Sequence, residues 1–304
     1  QVNSHELVEC RTLEGTGSDL RWTVTAGGQA SETFTDKSMR YADPVVNSVG
    51  SYLMNTNGSS KQTLEGNNFG ATCSGCVNAT YGGASGTEYG PVTCDVTVAH
   101  ATLLCNTAPG VGQNHRWKVT RDLLTSQLSL GSSSYAAPTI TSDGLSGDAM
   151  APSGSDTRGD TSITISGANF GPDGNASVVV TYGPDGSLTP YTAKNCVVTG
   201  GNHDTITCDT VAGIGKDLFW VAHIAGQPSV QSDQKSKYFT PILTSLIGNA
   251  FSGQSPTRGG MSITLVGNYF GPAGGADVTA YYGPSGAGGA KKYEAVDCRV
   301  LAGD

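Results

Sequence analysis

Apolar and polar residues alternate in short runs along the chain, as in Ser162-Ile163-Thr164-Ile165 and Ser262-Ile263-Thr264-Leu265. A period of two places every second side chain on one face, so each run predicts a strand with one buried side. No stretch shows a convincing 3.6-residue apolar period, and none approaches the run of about 18 apolar residues that spans a membrane as a helix. Gly-rich turns interrupt the runs every roughly 8–12 residues. Between Pro138 and Pro241 the pattern predicts strands near 138–142, 161–166, 177–182, 190–198, 205–208, 217–224 and 234–239. Trp220, Val178 and Val180 are expected to face a core. Pro138 and Pro241 are expected at domain starts, where a missing N–H harms a sheet least.

The same elements recur about every 100 residues. Gly-x-x-Phe-Gly stands at Gly66–Gly70, Gly167–Gly171 and Gly267–Gly271, with Phe spacings of 101 and 100. A Tyr-Gly step follows each: Tyr81-Gly82, Tyr182-Gly183 and Tyr282-Gly283. A second set keeps the same beat. Gly-x-Gly precedes Trp22, Trp117 and Trp220, a Cys stands 12 residues before each Trp, and Tyr41, Tyr135 and Tyr238 close the units. The phase is offset from the period. The chain opens on the second set and finishes on the first. If Asp304 is joined to Gln1 on paper, the wrapped Phe270-to-Phe69 interval is 103 and the wrapped Trp220-to-Trp22 interval is 106. The expected organisation is therefore a half-domain at 1–43, whole domains at 44–137 and 138–240, and the complementary half at 241–304. A start on Gln1 without an initiator Met predicts a processed chain or a segment of one.

Several short strands with Gly-rich turns and no amphipathic helix predict an antiparallel sandwich of about seven strands per unit. Pro-x-Ile, Ile-Thr-Ile-x-Gly-x-Asn-Phe-Gly, Tyr-Gly, a Cys pair and Gly-x-Gly…Trp, best kept at Pro138–Phe239, together resemble the IPT/TIG family of Ig-like domains. The resemblance covers nearly the whole chain in three registers. It implies an all-β fold of tandem Ig-like β-sandwiches, with split half-domains at both chain ends. The family occurs in plexin-type receptors, fibrocystin-like and protist surface proteins, accessory modules of polysaccharide-acting enzymes, and Rel-type transcription factors.

The eight Cys follow the repeat. Cys94 and Cys105, 11 apart, match Cys196 and Cys208, 12 apart. Both pairs read as intradomain disulfides, each stabilising its domain by about 3 kcal/mol in the chain-entropy model, with buried free thiols as the alternative. Cys298 matches Cys196 and Cys10 matches Cys208, so each lacks a partner within its own half-unit. They are expected to pair across a junction, to another copy or to a continuing polypeptide. Cys73 and Cys76 form one Cys-x-x-Cys without a second ligand pair for zinc or a βαβ context for redox work, so a small local disulfide is expected.

Composition narrows the function classes. Only 14% of residues are charged and the formal net charge is -8, which removes the basic stripe that nucleic acid binding needs and sets aside the Rel-type use. A chain with 43 Gly, many Ser and Thr, and pairable Cys suits an oxidising compartment. The five His form no metal-binding spacing, and His115 and His203 lie in polar, loop-like stretches where a solvated role is expected. No nucleophile elbow occurs, and no cofactor, metal or catalytic residue is assigned. Arg158-Gly159-Asp160 matches the tripeptide that integrins read, but Arg258-Gly259-Gly260 stands at the same place in the next unit, so a turn explains both. Asp143, Asp148, Asp156 and Asp160 match no calcium-loop spacing. Sequons at Asn57, Asn78 and Asn175 mark candidate glycosylation sites; Asn78 would need to face outward.

The expected function is an extracellular structural protein: the repeat unit of a fibre or long tandem array on a cell surface, whose partners are further copies of itself or continuing repeats of the same polypeptide, with covalent glycans. A spacer ectodomain of an adhesive or receptor-type protein and a carbohydrate-binding accessory module are the alternatives. An enzyme is not expected.

Overall fold

A computed structural model describes residues 6–174, 177–188, 190–248, 255–274, 278–284 and 292–301. The chain divides into two compact units, Gln1–Ala136 and Ala137–Asp304. The fold is all-β, with Ig-like antiparallel sandwiches; the only helical element among the described residues is a single 3₁₀ turn.

In the first unit, the N-terminal segment carries the short ribbon β1 (Thr25–Ala26) and β2 (Gln29–Ala30). A complete sandwich follows: β3 (Val45–Val49), β4 (Lys61–Asn67), β5 (Cys73–Gly82), β6 (Tyr89–Val98), β7 (Thr102–Asn106), β8 (His115–Arg121), β9 (Leu124–Thr125) and β10 (Ser132–Ser133). The strand order is β10-β8-β5-β6-β7-β4-β3, with β9 on β8. Strand β6 pairs with β5 and with β7, so it belongs to both layers.

The second unit opens with β11 (Thr139–Ser146) and the 3₁₀ turn Asp148–Met150. Then come β12 (Ser162–Ala168), β13 (Val178–Gly183), β14 (Tyr191–Thr192), β15 (Lys194–Thr199), β16 (Thr205–Asp209), β17 (Phe219–Ile224) and β18 (Gln227–Pro228). They make two four-stranded sheets, β11-β12-β16-β15 and β14-β13-β17-β18. Here the counterpart of β6 is broken into β14 and β15, one per sheet. Among its described residues the C-terminal segment shows two two-stranded ribbons: β19 (Ile242–Ile247) with β20 (Thr264–Asn268), and β21 (Tyr281–Tyr282) with β22 (Tyr293–Glu294).

Both sandwich cores rest on the repeated aromatics. The Trp117 ring stacks on Tyr81 with centroids 4.2 Å apart, and Trp220 on Tyr182 at 4.1 Å. The Trp117 indole N–H donates to the Ser133 hydroxyl and that of Trp220 to Ser236, each at 2.9 Å. The closing tyrosine of each unit meets the Tyr-Gly tyrosine: the Tyr81 and Tyr135 hydroxyls, and those of Tyr182 and Tyr238, lie 2.7 Å apart. Tyr135 and Tyr238 each donate onward to a backbone carbonyl, Ala108 and Val211. A buried Trp or Tyr needs such a partner for its polar tip, which explains why these aromatics recur as a set. Phe69, Ile163, Ile165, Phe170 and Ile206 complete the two apolar faces.

Three expectations are corrected. Residues 234–239 form no strand; the segment is held by isolated bridges from Ser236 to Leu218 and from Tyr238 to Ser155. Val178 is half-buried because it begins β13 at the sandwich rim, where Val180 and Tyr182 reach the core. His115 is not solvated: it opens β8 on the same face as Trp117 and Val119, and only 5% of it is exposed. Burial lowers its pKa below the usual imidazole value.

Candidate functional site: two uncovered sandwich faces

The N-terminal segment repeats much of the backbone bonding of a sandwich's second half. In the complete domain, the Ser232 N–H donates to Trp220 O, the Ser229 N–H to Ala222 O, and the Tyr238 N–H to Gly215 O. In the segment, Phe34 donates to Trp22 O, Ser31 to Val24 O, and Tyr41 to Gly17 O. The Ser31 hydroxyl accepts from the Val24 N–H just as that of Ser229 accepts from Ala222. Bridge Leu20↔Met39 matches Leu218↔Ser236, and register Ala26↔Gln29 matches Ile224↔Gln227.

The C-terminal segment reproduces the first half. Tyr282 pairs with Tyr293 as Tyr182 pairs with Tyr191, with ring centroids 5.2 Å and 5.1 Å apart. Ile242↔Asn268 matches Thr139↔Ala168.

Among the described residues, the inward face of each segment is left uncovered. Val8, Trp22 and Val24 are 74%, 43% and 48% exposed, whereas Ile206, Trp220 and Ala222 at the same repeat positions are fully buried. Ile263, Leu265 and Tyr282 are 47%, 39% and 60% exposed, against fully buried Ile163, Ile165 and Tyr182. Local hydrogen bonding survives without the partner sheet because its donors and acceptors are near in sequence. Burial does not survive, because the covering residues would come from the other half.

The motif glycines serve the junctions between repeats. Gly70 has φ +82, and a Cβ there would stand 2.6 Å from Thr16 Cγ2; Gly271 has φ +99, and a Cβ would stand 2.4 Å from Ile214 Cγ2. Thr16 and Ile214 are the middle residues of equivalent Gly-x-Gly loops, so the same seat recurs in each unit.

Cys94 and Cys105 face each other on β6 and β7 and are disulfide-bonded, as are Cys196 and Cys208 on β15 and β16. Both bonds staple neighbouring strands rather than the two layers. Cys73 and Cys76 are bonded at the start of β5. The Asp95 carboxylate caps this loop, accepting from the Ser74 hydroxyl and the Gly75 N–H, which hold its pKa below the ordinary value. Cys10 is an exposed free thiol and Cys298 a half-buried one.

Asn57 is exposed in a loop, its side chain accepting from the Ser59 N–H. Asn78 is exposed on the outer face of β5, between Thr93 and Thr120. Asn175 lies outside the described residues. Arg158-Gly159-Asp160 is a turn: Gly159 has φ 87, Arg158 bonds Asp156 at 2.7 Å, and Asp160 meets Lys194 at 2.5 Å. No group of three or more His, Cys, Asp or Glu converges among the described residues, and none of their helices is long and apolar enough to cross a membrane.

No protein-family model matches the chain, and no curated protein matches its sequence. Solved structures similar to it include the surface glycan-binding protein PbSGBP-B from Prevotella bryantii, at 14% identity and a TM-score of 0.39, covering 80% of this chain and 56% of that one. The Yersinia pseudotuberculosis adhesin InvE is similar at 12% identity and a TM-score of 0.35, over 63% of this chain and 57% of its own. The plexin A4 extracellular region is similar at 16% identity and a TM-score of 0.27, over 69% of this chain and 21% of its own. This chain therefore spans only part of the length of each of those proteins.

Proposed function

We propose that the protein is an extracellular structural protein of IPT/TIG-type repeats. It serves as the unit of a fibre or long tandem array at a cell surface, joined head-to-tail, to further copies of itself or to continuing repeats, by completion of a split sandwich. On this reading the chain comprises a half-domain at 1–43, whole domains at 44–137 and 138–240, and a half-domain at 241–304. The observation that carries it is the pair of complementary uncovered faces. Residues buried in both complete sandwiches stand in water in the two segments, while each segment keeps its half of the fold. The missing half for each is the kind of structure the other presents. A heterologous contact of this type propagates as a filament when its rotation does not close a ring.

Paired cysteines support an oxidising compartment, and on this reading the protein works outside the cell. Cys10 of one copy then bonds Cys298 of the next. Two thiols lose two protons and two electrons to an external disulfide such as oxidised glutathione, which leaves as two reduced thiols. Asn57 and Asn78 are open to N-linked sugar, and Asn175 is a third sequon.

The test is oxidation of the purified chain with oxidised glutathione, followed by non-reducing electrophoresis and electron microscopy. A ladder of multimers that collapses on reduction, with Cys10–Cys298 peptides by mass spectrometry and filaments repeating every three domains, is expected. A monomer with both thiols free overturns the reading.

A further inference from the structure

Both complete sandwiches flank their strand-to-strand disulfide in the same way. One residue outside the bond, the Asn106 side-chain amide donates to the Thr93 hydroxyl at 2.9 Å in the first sandwich. In the second, the Asn195 amide donates to the Asp209 carboxylate at 2.8 Å. On the inner side of the bond, Asp95 faces Leu104 and Val197 faces Thr207. The same offsets from Cys298 and Cys10 fall on charged residues: Asp297 matched with Arg11, and Arg299 matched with Glu9. The backbone agrees with this alignment, because Asp297 has φ 55 where Asn195 has φ 54. Glu9, Arg11, Asp297 and Arg299 are all exposed, and none of them has an ion-pair partner among the described residues.

We propose that Arg11–Asp297 and Glu9–Arg299 form between successive copies, and that these two ion pairs set the alignment of the head-to-tail junction. The inference rests on the head-to-tail reading and specifies its register. Residues 8–11 of one copy lie antiparallel to 297–300 of the next, with Cys10 opposite Cys298. A parallel alignment would set Glu9 against Asp297 and Arg11 against Arg299, and like charges directly opposite are destabilising. A slip by one residue in either direction would place no charge opposite an opposite charge, and would move every inward residue to the wrong face. The apolar faces supply the adhesion, and the charges choose among the ways two sticky faces could meet.

Charge inversion tests this. In Glu9→Arg/Arg11→Asp the N-terminal pair is inverted, and both contacts to an unaltered C-terminal segment become repulsive. Oxidised-glutathione-driven formation of the Cys10–Cys298 bond, followed by non-reducing electrophoresis at low ionic strength, should slow by about tenfold or more. Adding Asp297→Arg/Arg299→Asp to the same chain should restore it. Raising salt to about 1 M, where the Debye length is about 3 Å, should shrink the difference. Unchanged fluorescence of Trp117 and Trp220 checks that the sandwiches stay folded. If wild-type chains link through Cys10 and Cys298 but the inverted chain links at the same rate, the charge alignment is wrong and the junction stands. If two N-terminal segments pair with each other instead, inversion of Glu9 and Arg11 preserves complementarity and the links join Cys10 to Cys10, which also overturns the proposal. If wild-type chains form no such link, both readings fall together.

Discussion

Replacing each tryptophan in turn by alanine separates a covered repeat from an uncovered one. Trp220 is fully buried, stacked on Tyr182, and its indole N–H is bonded to Ser236. Truncating a buried Trp to Ala costs about 3–5 kcal/mol. In a domain of about 100 residues each kcal/mol moves the melting temperature by about 4–8 °C, so Trp220→Ala should lower the melting of its sandwich by at least about 12 °C. Trp117→Ala should do the same to the other sandwich. Trp22 is 43% exposed in the single chain and has much less burial to lose. Trp22→Ala should leave both sandwich transitions within a few degrees of wild type. Its cost should appear on assembly, when the rest of the ring is covered. About half of a buried Trp's contribution, about 1.5–2.5 kcal/mol, weakens association by more than about tenfold. The assay is thermal unfolding of a Cys10→Ser/Cys298→Ser chain kept dilute, paired with sedimentation of the same variants at high concentration. Calorimetry follows both transitions, and the Trp left in the unaltered sandwich identifies that domain's transition by fluorescence. Should Trp22→Ala destabilise the dilute chain as much as Trp220→Ala does, Trp22 lies in a closed core and the uncovered face does not exist.

Other changes probe the cores. Tyr238→Phe removes the hydroxyl between the Tyr182 hydroxyl and Val211 O, and should cost about 1–3 kcal/mol in urea unfolding of the second sandwich, whereas the same change at exposed Tyr52 should cost nothing measurable. His115 has its folded pKa lowered by burial, so below pH 6.5 the unfolded chain binds the proton first. Stability of the first sandwich should therefore be full above pH 6.5 and fall as pH drops from there towards the folded value, and His115→Leu, the residue type found at Leu218, should flatten that slope in melts across the window. Cys94→Ser/Cys105→Ser should cost about 2–4 kcal/mol in the first sandwich and leave the second unchanged, as seen by calorimetry.

The repeat itself, the strand content and the core aromatics were legible because they depend on local patterning. Period-two alternation marks which side chains share a face, and a Trp or Tyr that recurs in phase with it belongs inside. The misreadings have physical causes. His115 follows polar Gln113 and Asn114 and looks like loop, yet it continues the inward alternation of Trp117 and Val119. Residues 234–239 end in the recurring Tyr238 beside Phe239, but single bridges at Ser236 and Tyr238 anchor them in place of a ladder. The Glu9-Cys10-Arg11 and Asp297-Cys298-Arg299 triplets carried a signal that was missed. It emerges only once the two sandwiches show which residues flank their disulfides.

Sequence alone sufficed for the period, the identity of the inward residues and the matching of Cys to Cys, since each is a matter of spacing along one chain. Whether an inward residue is actually covered was left to the tertiary structure. Burial depends on which strands meet across two layers, and those strands are distant in sequence. The identical Trp and Tyr positions are therefore fully enclosed in the complete sandwiches and open to water in the two terminal segments.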